Sequence, residues 1–172
     1  IINAFKNFQC IVVWVPFNEA WGQFDTPEVV KFTRELDPTR LINPASGGNF
    51  DFSAGVKEFG DILDVHHYPC PAMNVFERKF VNVLGEYGGI GMPVEGHTWI
   101  IDRKWGYGKV KENSEELMKQ YEEYLEMLKT FVATGCAAAV YTQTTDVEGE
   151  VNGLMTYDRK VIKVDEAKLK EI

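Results

Sequence analysis

Two glutamates in this chain close apolar runs. Glu19 follows Ile11-Val12-Val13-Trp14-Val15-Pro16-Phe17-Asn18, and Glu86 follows Val81-Asn82-Val83-Leu84-Gly85. A short apolar run bounded by turn signals has the pattern of a buried strand, so each carboxylate is expected where a strand ends. A pair of strand-end carboxylates suits glycoside cleavage. One delivers a proton to the leaving oxygen, while the other, ionised, acts under the anomeric carbon. Two close carboxylates raise each other's proton affinity, which helps to keep one of them protonated. Each glutamate alone would be an ordinary loop residue. Their common construction, with Trp14 and Trp21 around the first, turns the reading toward chemistry.

Other side chains could serve the same site. His66 and His67 are neighbours on an apolar run, so their side chains point to opposite faces of a strand and do not readily share an ion. One is expected to face the interior or substrate and the other to pack outside, with no metal. Trp14, Trp21, Trp99, Trp105 and Tyr141 are of the types that stack on sugar faces, and also of the types that fill cores. Trp14, inside an apolar run, is expected in the core. Tyr141 and Gln143 end the last strand and are better placed for a site. Trp99 and Trp105 stand on a long connection. Asp146, Glu148 and Glu150 read as a solvated acidic rim closed by an Asn152-Gly153 turn. Gly89-Ile90-Gly91 is followed at the sixth position by Val94 and does not complete a dinucleotide-binding fingerprint, which removes nucleotide binding.

The elements that must position these residues alternate along the chain. Residues 1–8 have helical apolar spacing, and 11–15 read as a strand. Thr26-Pro27 reads as an N-cap followed by proline at the first helical position. That helix carries Val29, Val30, Phe32 and Leu36 and stops at Asp37-Pro38. Strands are expected at 40–45 and 62–68, separated by a loop at 46–49 and an irregular aromatic stretch with Phe50, Phe52 and Phe59. A short helical piece at 74–80 leads to a strand at 81–84. The connection from 88 to about 111 exceeds the roughly 12–15 residues beyond which loops are uncommon and often functional. Asn113 and Glu116 form a capping-box pattern. The helix they open carries Leu117, Tyr121, Tyr124, Leu125, Leu128, Phe131 and Val132, and Gly135 ends it. A strand at 137–141, whose small residues permit close packing, and a charged helical turn at 165–172 complete the chain. Alternating strands and helices imply a parallel sheet with helices outside and ligands at the strands' C-terminal ends. The pattern does not separate an open doubly wound sheet from part of a (β/α)₈ barrel.

The stretch Trp14-Val15-Pro16-Phe17-Asn18-Glu19-Ala20-Trp21-Gly22 resembles the acid/base motif of the family two glycoside hydrolases, the β-galactosidase and β-glucuronidase relatives. Val81-Asn82-Val83-Leu84-Gly85-Glu86-Tyr87-Gly88-Gly89 resembles that family's nucleophile motif. Gly89-Ile90-Gly91-Met92-Pro93-Val94-Glu95-Gly96-His97 is similar to a third family stretch, and residues 141–153 to the end of the family's barrel. The similarity runs from about residue 11 to about residue 163. It implies an α/β fold, a TIM (β/α)₈ barrel of which residues 1–172 form one domain holding about strands four to eight. It further implies a retaining, exo-acting β-glycosidase with Glu19 as acid/base and Glu86 as nucleophile. Asn18 would hydrogen-bond the sugar 2-hydroxyl, and Tyr68 would hold the nucleophile oriented and ionised. His66, His67, Tyr141, Gln143 and Trp99 complete the expected substrate-binding set. The partner is a carbohydrate substrate, with no cofactor and no metal. Family relatives carry β-sandwich domains before the barrel. Two other readings stand beside this one: a catalytically silent carbohydrate-binding barrel, and an inactive half-barrel that self-associates.

Bulk properties agree with a globular domain of 172 residues. The net charge of −8, from 18 basic and 26 acidic residues, argues against nucleic acid or an anionic membrane as partner. No apolar run has the length of a membrane span, and no signal peptide is recognisable. Cys10, Cys70 and Cys136 form no even framework, and Cys10 and Cys136 are expected as buried free thiols. The compartment is not decided: periplasmic, extracellular and cytoplasmic placements all stand. A start at Ile1, without methionine, reads as a piece of a longer protein.

Overall fold

A computed structural model describes residues 1–19, 22–48 and 60–172. Trp21, Asn49, Phe50, Phe52 and Phe59, all weighed above, lie outside the described residues. The chain groups into two compact units that interleave along it. The first comprises Ile1–His66, Met73–Gly85 and Gly135–Ala138; the second comprises His67–Ala72, Glu86–Thr134 and Ala139–Ile172.

In the first unit, α1 (Ile2–Phe5) is followed by β1 (Val13–Trp14), α2 (Thr26–Leu36) and β2 (Leu41–Ile42). β1 and β2 pair in parallel, Val13 opposite Leu41 and Trp14 opposite Ile42. Both strands are shorter than the 11–15 and 40–45 expected, and Val12 and Val15 are exposed. The reason is local. Pro16 and Pro44 have no N–H to continue the ladder, and pairing resumes only as an isolated bridge between Phe17 and Ala45. The helix expected over 1–8 contracts to four residues, since so short a segment gains little from its own hydrogen bonds. Thr26 is not the N-cap of α2. Asp25 takes that place with φ +40 and no capping hydrogen bond, and Thr26 Oγ1 donates to Gln23 Oε1 at 3.1 Å. α2 buries Thr26, Val30 and Thr33, leaving Phe32 exposed. Trp14 is in the core as expected, its indole N–H donating to Asp37 Oδ2 at 3.0 Å.

β3 (Ile62–His67), β4 (Val81–Gly88) and β5 (Cys136–Thr142) form a three-stranded sheet in that order. Ile62, Leu63, Val65 and Leu84 are buried with Ile42 and Ala45. The helical piece expected over 74–80 is absent. Asn82 explains this: its side chain accepts from Glu77 N–H at 2.9 Å and donates to the Glu77 and Phe80 carbonyls at 3.1 Å, fixing a loop instead. β5 was expected to pack closely through its small residues, yet Ala137 to Val140 are exposed. The strand is the edge of its sheet, and among the described residues no further strand pairs with it. Cys136 is buried, but Cys10 is exposed, against expectation.

The second unit is built on α3 (Ser114–Thr134) and ends in α4 (Glu166–Leu169). Asn113 Oδ1 accepts from Glu116 N–H at 2.9 Å, half of the expected capping box. The Glu116 carboxylate turns instead to Glu112 N–H at 3.2 Å. α3 buries Leu117, Met118 and Tyr124, while Val132 is 66% exposed, so the apolar stripe stops a turn early. Asp165 caps α4 through the Ala167 and Lys168 N–H groups. Among the described residues no helix is long and apolar enough to cross a membrane.

Candidate active site

The first unit carries Asn18 and Glu19 on the loop after β1, both exposed. Glu19 Oε1 lies 2.8 Å from His66 Nδ1, near the end of β3. The other ring nitrogen of His66 lies 2.9 Å from Ser46 Oγ, and Ser46 Oγ lies 2.8 Å from Asp64 Oδ2. Asp64 is 2% exposed and also accepts from Asn43 Nδ2 at 2.6 Å and from Gly85 N–H at 2.8 Å. A Cβ at Gly85 would fall 2.0 Å from that carboxylate, which explains a glycine immediately before Glu86. The His66 ring itself is clamped against Gly47, whose φ of +66 suits glycine. Glu19 and His66 are metal-ligating residue types.

The second unit carries Glu86. Its strand, expected to stop at 84, runs on to Gly88, so Glu86 lies inside β4 near its end. Tyr68 OH donates to Glu86 Oε2 at 2.7 Å. The Tyr68 ring is stacked on Tyr107 at 3.7 Å between centroids and 11° between planes, and Trp105 meets Tyr107 edge-on at 5.3 Å. Burial first, and then the Glu86 hydrogen bond, push the Tyr68 hydroxyl pKa above the ordinary phenol range. Tyr107 lies on the long connection that also holds Trp99 and Trp105, and nothing in its spacing along the sequence points to Tyr68.

His67 turns to its own partner, Nδ1 donating to the Cys70 carbonyl at 2.7 Å. That contact braces a turn. Gln143 Nε2 donates to Glu150 Oε2 at 2.7 Å and to Asn152 Oδ1 at 2.9 Å. Of the three acidic residues read as a solvated rim, Glu148 is exposed and Glu150 half-buried, but Asp146 is in the core. Asp146 is 5% exposed; it accepts from Gly153 N–H at 2.8 Å and from Lys163 Nζ at 2.6 Å, and Lys163 is 1% exposed. Burial pushes the Asp146 carboxyl pKa up and the Lys163 ammonium pKa down, and their contact opposes both shifts. The turn also differs from expectation. Val147 and Glu150 exchange two backbone hydrogen bonds around Glu148, at φ +51, and Gly149, so the chain reverses before Asn152-Gly153.

Tyr141 sits edge-on to both Tyr87 and Tyr121. Its hydroxyl accepts from Ile90 N–H at 3.2 Å and donates to the Asn152 carbonyl at 3.4 Å. These contacts make it a brace for the segment around Asn152. Trp99 is 58% exposed, with its ring 5.8 Å from that of Tyr157.

In this αβ chain a half-buried phenol holds one glutamate and an imidazole holds another. The model of the glycosyl hydrolases family 2 TIM barrel domain matches residues 1–163, and the chain belongs to that family. Among solved structures, the β-D-glucuronidase of Dictyoglomus thermophilum is 20% identical with a TM-score of 0.57, covering 90% of this chain and 30% of that one. A Bacteroides fragilis protein assigned as a β-galactosidase is 18% identical with a TM-score of 0.57, covering 91% of this chain and 27% of that one. The chain thus spans under a third of either structure and carries a partial TIM barrel. No significantly similar sequence was found among curated proteins.

Proposed function

We propose that this chain supplies the catalytic carboxylates of a retaining, exo-acting β-glycosidase, with β1 to β5 as strands four to eight of the barrel. Glu86 is the nucleophile and Glu19 the acid/base. The observation that carries the reading is the 2.7 Å hydrogen bond from Tyr68 to Glu86. A hydrogen bond to the charged form favours that form, and a nucleophilic carboxylate must be ionised.

In the first step Glu19 gives its proton to the glycosidic oxygen as the bond from that oxygen to the anomeric carbon breaks. Glu86 bonds to the carbon. In the second step water attacks the same carbon, Glu86 leaves, and the water proton passes to Glu19. Asn18, exposed beside Glu19, takes the sugar 2-hydroxyl. Gln143 and Trp99 add contacts to the sugar, and His66 serves through Glu19. The remaining barrel strands and family β-sandwich domains are the proposed partners, and carbohydrate is the ligand.

A screen of aryl β-glycosides against the intact protein tests the activity. A 2-fluoro aryl glycoside should then label Glu86, and labelling of any other carboxylate overturns the assignment. Absence of turnover with retained sugar binding would favour the silent barrel.

A further inference from the structure

The hydrogen bonds around His66 locate a proton. Ser46 has one O–H, yet its oxygen lies 2.8 Å from Asp64 Oδ2 and 2.9 Å from His66 Nε2. Asp64 receives N–H donors from Asn43 and Gly85, the surroundings of an ionised carboxylate. An ionised carboxylate only accepts. The Ser46 proton therefore points to Asp64, and the Ser46 lone pair takes Nε2–H of His66. The contact on the other side of the ring, Nδ1 to Glu19 Oε1 at 2.8 Å, must then contain a proton as well. Either a protonated Glu19 donates to neutral imidazole, or imidazolium donates to the carboxylate. Both descriptions place one mobile proton between the two residues.

We propose that His66, oriented by Ser46 and Asp64, is the positioning residue that holds the proton Glu19 delivers. This rests on the reading of Glu19 as acid/base. Among the described residues of the first unit, His66 meets the carboxylates of Glu19 and Asp64, an oxygen of the latter lying 3.8 Å from Nε2. When Glu19 protonates the leaving oxygen, its O–H bond breaks and a bare carboxylate is left facing an unprotonated Nδ1. That pair of acceptors repels until the water of the second step returns a proton to it.

Two measurements in the intact protein test this. The first is the dependence of turnover on the leaving group. In His66→Gln, turnover of an alkyl β-glycoside should fall about 100-fold, with little change for a dinitrophenyl glycoside. Ser46→Ala should separate the two substrates the same way by less. An equal loss on both substrates in His66→Gln, or no loss, overturns the proposal.

The second measurement needs no turnover, so it still decides if the glycosidase reading fails or if His66→Gln does not fold. In ¹⁵N NMR of the unaltered protein, the neutral His66 ring should carry its proton on Nε2. A neutral ring protonated at Nδ1 overturns the proposal.

Discussion

The Tyr68 hydroxyl donates to Glu86 Oε2 at 2.7 Å while the Tyr68 ring lies flat on Tyr107. The stacking restrains the ring, so the hydroxyl direction is set before any substrate arrives. Its raised pKa keeps the phenol a donor across the neutral range. A fixed donor beside an ionised carboxylate stabilises charge and restricts the carboxylate's rotation. Both help an attacking oxygen.

Removing that donor should be felt in turnover. A hydrogen bond to a charged group is worth about 1.5–3 kcal/mol, which corresponds to roughly a 10- to 150-fold loss in kcat for Tyr68→Phe. Steady-state kinetics on an aryl β-glycoside checks this. A loss below about twofold would separate Tyr68 from the reaction.

Glu19→Ala should divide substrates by leaving group. General acid assistance contributes about 10²–10⁴-fold where the leaving group is poor. Alkyl glycosides should lose on that order and dinitrophenyl glycosides little in the first step. Equal loss on both would show that Glu19 acts only through structure.

Lys163→Met should destabilise the protein strongly. It leaves Asp146 buried without its ammonium partner, and breaking a buried pair from one side typically costs about 3–5 kcal/mol. Urea unfolding measures it. The double variant Asp146→Asn, Lys163→Met should recover a large part of the loss, because no uncompensated charge is left. Lys163→Met with wild-type stability would mean that the pair contributes nothing.

Much of this could be read in the chain. The apolar runs before Glu19 and Glu86, the proline stops and the Asn113 cap are local signals, and local signals survive folding. Strand lengths did not follow, because they depend on a partner: β1 ends where Pro16 and Pro44 together interrupt pairing, and β4 continues past Glu86. Asp146 was misread as part of a solvated rim for a related reason. Asp146 and Lys163 are far apart in sequence, and nothing in either predicts that the other will neutralise it in the core. The Ser46–His66–Glu19 chain has the same character, with three residues from three segments whose hydrogen bonds exist only after packing. Tyr68 with Glu86 was expected from the family motif; Tyr107 was not, since a stacked ring on a long connection has no sequence period.

Acid should act on the segment that holds Trp99 through Asp158. Thr156 Oγ1 donates to Asp158 at 2.7 Å and His97 Nδ1 lies 2.9 Å from its other oxygen. The Thr156 hydroxyl first, and then His97, hold the Asp158 carboxyl down to about 2. The folded pKa is below the unfolded value of about 3.9, so the ionised form favours folding. Its contribution is full above about pH 4 and is lost as pH falls toward 2. Thermal unfolding of the unaltered protein and of Asp158→Asn, scanned from pH 6 to pH 2, measures this. The two curves should be separated at pH 6, with the variant less stable, and should converge through that acid window. A constant separation down to pH 2 would show that the difference comes from lost packing or neutral hydrogen bonds, and that Asp158 ionisation does not hold the segment.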